Sequence, residues 1–256
     1  MDYCPSVSFI GAGNVAWHFA SRLHGSGCRI VQVWSRHAES ARLLAQHVGA
    51  DAVADLASVS AAGVDVFIVA VGDDAIDEVV RQVDFGNALV VHTAGSVNID
   101  VLQGASDRYG VLWPVQSLVK GQECGDIPCA VEGSDDAATD DVERLARCIS
   151  SQVYRLDSRQ RCRAHLAATM VSNFGNAINA LAEEYLQQGN IDFAMLRPLI
   201  ESAVHKAAGG NLWKKQTGPA ARHDITTIER QRALLKHSPE LLQLYDLMTA
   251  IIENRC

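Results

Sequence analysis

The spacing of apolar residues changes character once along this chain. Up to about residue 155, short apolar runs alternate with stretches of helical period. "SVSFIG" ends at glycines, and "NVAWHFASRLHGSG" places Val15, Phe19 and Leu23 on one face before stopping at Gly25 and Gly27. "CRIVQVWSR" predicts the next strand and "AESARLLAQHVG" the next helix, closed by Gly49. After its first residue "DVFIVAV" is wholly apolar, as expected of a strand buried on both faces of a parallel sheet. "DAIDEVVRQV" predicts a helix, and "ALVVHTAGS" a strand running into a turn of small residues. "GVLWPV", "CAVEGS" and "VYRLD" predict later strands, and "TDDVERLARCIS" a helix opening at a Thr/Asp cap. Such alternation implies an α/β domain built on a doubly wound parallel sheet.

Past Asp157 no strand pattern remains. Residues 159–188 read as one long helix, and "IDFAMLRPLIESAVHKAAGGN" as another interrupted by Pro198. "TTIERQRALLKH" follows, then "SPELLQLYDLMTAIIEN", with Ser238 as N-cap and Pro239 at the first helical position. The pattern divides the chain into an α/β domain over 1–156 and an all-helical domain over 157–256.

Composition narrows the partners. The 256 residues suffice for a real core, and 22 basic against 30 acidic residues leave a net charge of −8 with no basic stripe. Nucleic acid is therefore not an expected partner. No apolar run approaches the roughly 20 residues of a membrane span, and the N-terminus lacks the basic-then-apolar order of a signal peptide. Seven cysteines show neither a CxxC pair nor zinc spacing, so no metal is expected, and free thiols fit a reducing cytoplasm.

"GAGNVA", residues 11–16, follows a strand and opens a helix, the context in which G-x-G-x-x-A cradles a dinucleotide. Gly11 permits the tight turn, Gly13 lets backbone approach a pyrophosphate, and Asn14 and Val15 open the helix whose N–H groups face the phosphate. An NAD site usually carries an acid at the end of the second strand. Here that strand ends in Ser35 and Arg36, which suit a 2′-phosphate, so NADP(H) is the expected cofactor. Val71, Gly72 and Asp73 lie where the next strand meets the carboxyl edge of the sheet, although Asp73 fits a helix cap equally well. Thr93, Ala94, Gly95 and Ser96 are small enough for backbone to approach a nicotinamide or a substrate. His92 beside them fits a packed strand residue. Gln116 and Ser117 of "WPVQS" fall near the same edge.

In "AHLAATMVSNF", His165, Thr169 and Asn173 are four residues apart. Each step drifts only about 40° around an α-helix, so the three share a face. His is the usual proton donor near neutral pH, and an Asn amide can bond the same oxygen.

Together the GxGxxA turn, the Arg after the second strand and the helical second half resemble the superfamily of 6-phosphogluconate dehydrogenase, ketopantoate reductase and pyrroline-5-carboxylate reductase. More narrowly, "HTAGSV", "WPVQS", "AHLAATMVSN" and "TGPAARHD" resemble Rossmann-like proteins with a C-terminal helical domain of unknown function, grouped as NADP oxidoreductases. The resemblance implies a Rossmann domain holding NADP(H), a small-molecule substrate in the interdomain cleft, and a homodimer formed through the helical domain. In ketopantoate reductase and hydroxyacid dehydrogenase relatives, the first helix of the second domain carries a catalytic Lys, followed by Asn. Here His165 takes the Lys place, and no Lys lies in 121–205. The layout of "TGPAARHDITTIERQ" is similar to the segment by which pyrroline-5-carboxylate reductases hold a substrate carboxylate, which marks Arg222, Thr226 and Thr227 for an anion.

The expectation is an NADPH-dependent reductase of a small carboxylate-bearing carbonyl compound. A ketopantoate-like 2-keto acid comes first and a cyclic imino acid second. His165, Thr169 and Asn173 would carry the chemistry, and Gly95, Ser96, Gln116 and Arg222 would orient the substrate. The contrasting reading is a redox sensor that binds NADP(H) without turnover. Some distant relatives use a deazaflavin as hydride partner.

Overall fold

The computed structural model describes residues 3–256. Those up to Asn173 form one compact unit, and Phe174–Cys256 form a second. This division falls later than the change in sequence rhythm, because the first helix after the sheet is counted with the sheet.

The first unit is an eight-stranded sheet in the order β3-β2-β1-β4-β5-β6-β7-β8. Its strands are β1 (Ser6–Ile10), β2 (Arg29–Trp34), β3 (Asp51–Val53), β4 (Val66–Val69), β5 (Leu89–His92), β6 (Tyr109–Pro114), β7 (Cys129–Gly133) and β8 (Val153–Arg155). All neighbours are parallel except β6 and β7, which run antiparallel with Trp113 opposite Ala130. The expected sheet is thus mostly, not wholly, parallel. The chain crosses from β3 back past β1 to β4, so a switch point opens between the carboxyl ends of β1 and β4.

Helices α1 (Asn14–Gly25), α2 (Ala38–Val48), α3 (Ile76–Val80) and α4 (Asp136–Arg147) cover the sheet. Alternation along each strand supplies two cores. Val7, Phe9, Val66 and Ile68 pack on one face with Phe19, Leu23 and Leu44. Ile10, Phe67 and Val69 pack on the other with Ile76 and Leu102. Phe67 meets Phe85 edge-on at 5.0 Å, and burying one such ring contributes about 1.5–3 kcal/mol. Helix α4 starts at Asp136, earlier than "TDDV", because the Asp135 side chain caps it by accepting the Ala138 N–H.

Helix α5 (Ser158–Thr169) closes the first unit. The long helix expected over 159–188 is not uniform: Met170–Phe174 form a π-helical turn before α6 (Gly175–Gln188). The second unit holds α6, α7 (Arg197–Ala208), α8 (Ile225–Leu234) and α9 (Pro239–Glu253), with no strand. Pro198 opens α7 rather than interrupting it, since a first-turn N–H has no helical partner to lose. Ser238 precedes α9 without a side-chain capping bond.

Candidate functional site

The GxGxxA turn lies at the switch point. Gly11 has φ +110°, and a Cβ there would run into the Ala70 carbonyl, so no other residue fits. Its N–H donates to the Trp34 carbonyl at 2.7 Å, tying the turn to the end of β2. Gly13 is exposed, and a Cβ on it would meet nothing within 4 Å. Helix α1 then begins with no side-chain cap and no acid in its first turn. Asn14 is exposed, Val15 half-buried and Ala16 fully buried on the sheet. An uncapped helix start beside an open glycine fits a pyrophosphate.

At the end of β2, Ser35 is half-buried and its hydroxyl oxygen accepts the His37 N–H at 3.3 Å. Arg36 is exposed and has no ion-pair partner among the described residues. Glu39 is held by Arg42 at 2.7 and 2.8 Å, and that bond keeps its carboxyl below the usual range. The strand end therefore offers a cation and a hydroxyl, a donor set for a 2′-phosphate.

The loops after β4 and β5 are tied to each other. Val71 is half-buried; Gly72 and Asp73 are exposed. Asp73 does not cap a helix, since Gly72 holds the cap position of the short turn Asp73–Ala75. Its carboxylate instead accepts the Ser96 hydroxyl at 2.6 Å. Thr93, Ala94 and Gly95 are buried, and the Thr93 N–H donates to the Val69 carbonyl at 3.2 Å. His92 is fully buried: its Nδ1 accepts the Ala94 N–H at 3.1 Å, and its Nε2 has no hydrogen-bond partner among the described residues. Burial first, and the Arg161 charge second, push its pKa down to about 4.

Helix α5 is pinned onto this edge. Asp157 and Gln160 form a capping box at its start. Arg161, fully buried, pairs with Glu132 of β7 and donates to the Val97 carbonyl. The same Glu132 accepts the Ser158 N–H at 2.8 Å, and the Ser158 hydroxyl oxygen accepts the Ile99 N–H at 3.2 Å. One turn on, half-buried His165 meets Trp113 edge-on, with ring centroids 5.5 Å apart. A Cβ on Gly95 would overlap the His165 ring and come within 2.8 Å of Trp113.

Of the candidate residues, His165, Gly95 and Ser96 are brought together, the last through the Cys162 thiol that donates to the Ser96 carbonyl at 3.4 Å. Thr169 spends its hydroxyl on the His165 carbonyl at 3.1 Å. Asn173 is exposed within the π turn, so the regular drift of an α-helix does not carry from Thr169 to it. Gln116 is exposed and its side-chain oxygen accepts the Ser117 N–H at 3.1 Å. Arg222 lies in the second unit, exposed at the end of the turn Ala220–Arg222. Thr227 there is engaged by the Asp224 cap at 2.7 Å. Sequence reasoning missed Trp113, Glu132 and Arg161; an Arg in the first turn after an Asp cap carries no signal of a buried partner.

On the outer face of α5, a cleft of about 500 Å³ is lined by Ser96, Asn98, Ser158, Arg159, Cys162, Arg163 and Leu166; His165 does not line it. Neither arginine has a carboxylate partner among the described residues.

Residues 6–101 match the family described as NADP oxidoreductase coenzyme F420-dependent, and residues 127–252 match a domain of unknown function, DUF2520. A Bacteroides fragilis protein classed as an NADP oxidoreductase is similar at 38% identity and TM-score 0.88, over 98% of this chain and 99% of that one. An imine reductase from Aspergillus terreus, solved with NADPH4 and a dibenzazepine, shares the fold at 15% identity and TM-score 0.68, over 98% and 94%. A pyrroline-5-carboxylate reductase from Coxiella burnetii does so at 19% and TM-score 0.59, over 99% and 97%. Curated protein sequences gave no match.

Proposed function

The chain belongs to the NADP oxidoreductase family that the Bacteroides fragilis protein represents, and we propose that it reduces a small carboxylate-bearing carbonyl compound, first of all a 2-keto acid of the ketopantoate kind. The observation that carries this reading is the seating of His165 on Gly95, at the carboxyl edge of the sheet and beside the Ser96–Asp73 pair. Gly11, Gly13, Asn14 and Val15 hold the cofactor diphosphate, Ser35 and Arg36 the 2′-phosphate, and the loops Val71–Asp73 and Thr93–Ala94 border the nicotinamide. Bound NADPH supplies a hydride. His165 donates its ring N–H proton to the oxygen that becomes negative, a contribution of typically 10²–10⁴ in rate. The Trp113 edge restricts the imidazole to orientations facing the Gly95 loop. In this reading Thr169 backs the turn of α5 that carries His165 by donating to its main-chain carbonyl, Asn173 and Gln116 assist in binding the substrate, and Arg222 is kept as a candidate for an anion.

A second substrate class has its own support. The Ser96 hydroxyl proton is committed to Asp73, so the Ser96 oxygen is left as an acceptor beside a carboxylate. That arrangement suits a protonated C=N–H bond, as in a cyclic imino acid.

The test is NADPH oxidation by the purified chain against 2-keto acids and cyclic imino acids, with NADH in parallel. Saturable turnover with a keto acid supports the first class, and with an imino acid the second. Tight NADPH binding without turnover on either would overturn both classes and leave a deazaflavin hydride partner or the sensor reading.

We propose also a homodimer through the helical unit. Only Ala220 and Ile228 are buried among residues 174–256, whereas Phe174, Ile178, Met195, Leu199, Val204 and Leu247 are exposed. Sedimentation at micromolar concentration tests it. No helix among the described residues is long and apolar enough to cross a membrane. A cytoplasmic setting completes the reading, in keeping with seven free thiols.

A further inference from the structure

The segment joining β6 to β7, residues 115–128, lies along α1 and is fastened to it. The His18 ring donates from Nε2 to the Val119 carbonyl at 2.9 Å. Arg22 donates to the carbonyls of Cys124 at 3.1 Å and of Gly125. At the helix start, the side-chain oxygen of Asn14 accepts the Lys120 N–H at 3.0 Å. This last bond brings the only lysine of residues 1–205 to the first turn of α1. Its ammonium stands 4.4 Å from the Trp17 ring centroid, and Trp17 in turn stacks on His47 of α2 at 4.5 Å. The Lys120 charge also reaches Glu39 in the first turn of α2. That carboxylate is already bonded to Arg42.

Electrostatics makes this placement unusual. The start of a helix is its positive end, where anions are favourable and cations are not. The first turn of α1 has no acid, its start has no capping side chain, and Lys120 has no carboxylate partner among the described residues. A lysine whose backbone is fastened to the first turn of α1 adds positive potential at that uncapped helix start, where an anionic ligand is favoured.

We infer that Lys120 is a phosphate-contacting residue of the dinucleotide site, delivered by the 115–128 segment across the start of α1. This rests on the reading that the Gly11–Val15 turn takes NADP(H). The ligand chemistry is a phosphate of the cofactor, either its diphosphate or its 2′-phosphate.

Calorimetric titration of NADP⁺ and NAD⁺ tests the assignment without requiring turnover. Lys120→Gln keeps the backbone bond to Asn14 and removes the charge; Lys214→Gln of the second unit serves as control. The expected result is NADP⁺ binding about tenfold weaker in K120Q and unchanged in K214Q, with K120R near the unaltered chain. A matching loss for NAD⁺ assigns the contact to the diphosphate, and an unchanged NAD⁺ affinity assigns it to the 2′-phosphate. Unchanged affinity for both nucleotides in K120Q overturns the inference. No binding by the unaltered chain overturns the nucleotide reading and the inference with it.

Discussion

His165 stands edge-on to Trp113, with ring centroids 5.5 Å apart and planes inclined at 63°, in space that the missing side chain of Gly95 leaves open. The three residues come from α5, β6 and the loop after β5, so the imidazole is fixed against backbone at the carboxyl edge of the sheet. The cost of filling that space follows directly. Gly95→Ala forces the His165 ring to move, at a stability cost of about 1–3 kcal/mol. Turnover should fall while NADPH affinity stays within about twofold, measured by thermal unfolding, steady-state rates and titration. A fully active Gly95→Ala would mean that His165 is free to swing away.

The two glycines of the phosphate turn should behave oppositely. Gly11→Ala places a methyl group into the Ala70 carbonyl at a positive φ, and should unfold the chain or lower its melting temperature by several degrees. Gly13→Ala meets no protein atom, so it should melt like the unaltered chain and lose only dinucleotide affinity. Melting curves with and without NADP⁺ separate the two.

The pairing of buried Arg161 with Glu132 anchors α5. Glu132→Ala leaves a guanidinium buried without a countercharge, and breaking such a pair costs about 3–5 kcal/mol. Urea unfolding should show that loss. The double variant E132A/R161M should lose less than the sum of the two single ones, because the orphaned charge is gone.

His92 sets an acid limit. In the folded chain it resists protonation down to about pH 4, whereas an unfolded histidine takes up its proton near 6.5. Between those values the unfolded state binds more protons, so stability is complete above about pH 6.5 and falls as the pH drops toward 4, by about 3 kcal/mol in all. His92→Asn keeps an acceptor for the Ala94 N–H and has no such titration. Its unfolding free energy should be flatter across this window, read by urea unfolding at several pH values.

Much of the fold was legible because continuous apolar runs and period-3.6 stretches report burial directly, as "DVFIVAV" does for β4. The three-residue strand β3 was not, because Asp51–Val53 is too short and too exposed for a pattern. The phosphate turn was legible because glycine at 11 is a backbone requirement written into the residue type. Antiparallel pairing of β6 and β7 left no trace in either strand. On α5, four-residue spacing singled out His165, but the π turn at Met170–Phe174 lies beyond periodicity. Glu132 and Arg161 stayed hidden because burial of an ion pair depends on what packs over it.

The most direct test of the central claim compares His165→Ala with the unaltered chain, on whichever acid supports turnover. The expected result is a kcat lower by 10²–10⁴ with the NADPH dissociation constant unchanged, as befits a proton donor that does not hold the cofactor. An unaltered kcat would contradict the account and move the proton donor away from α5.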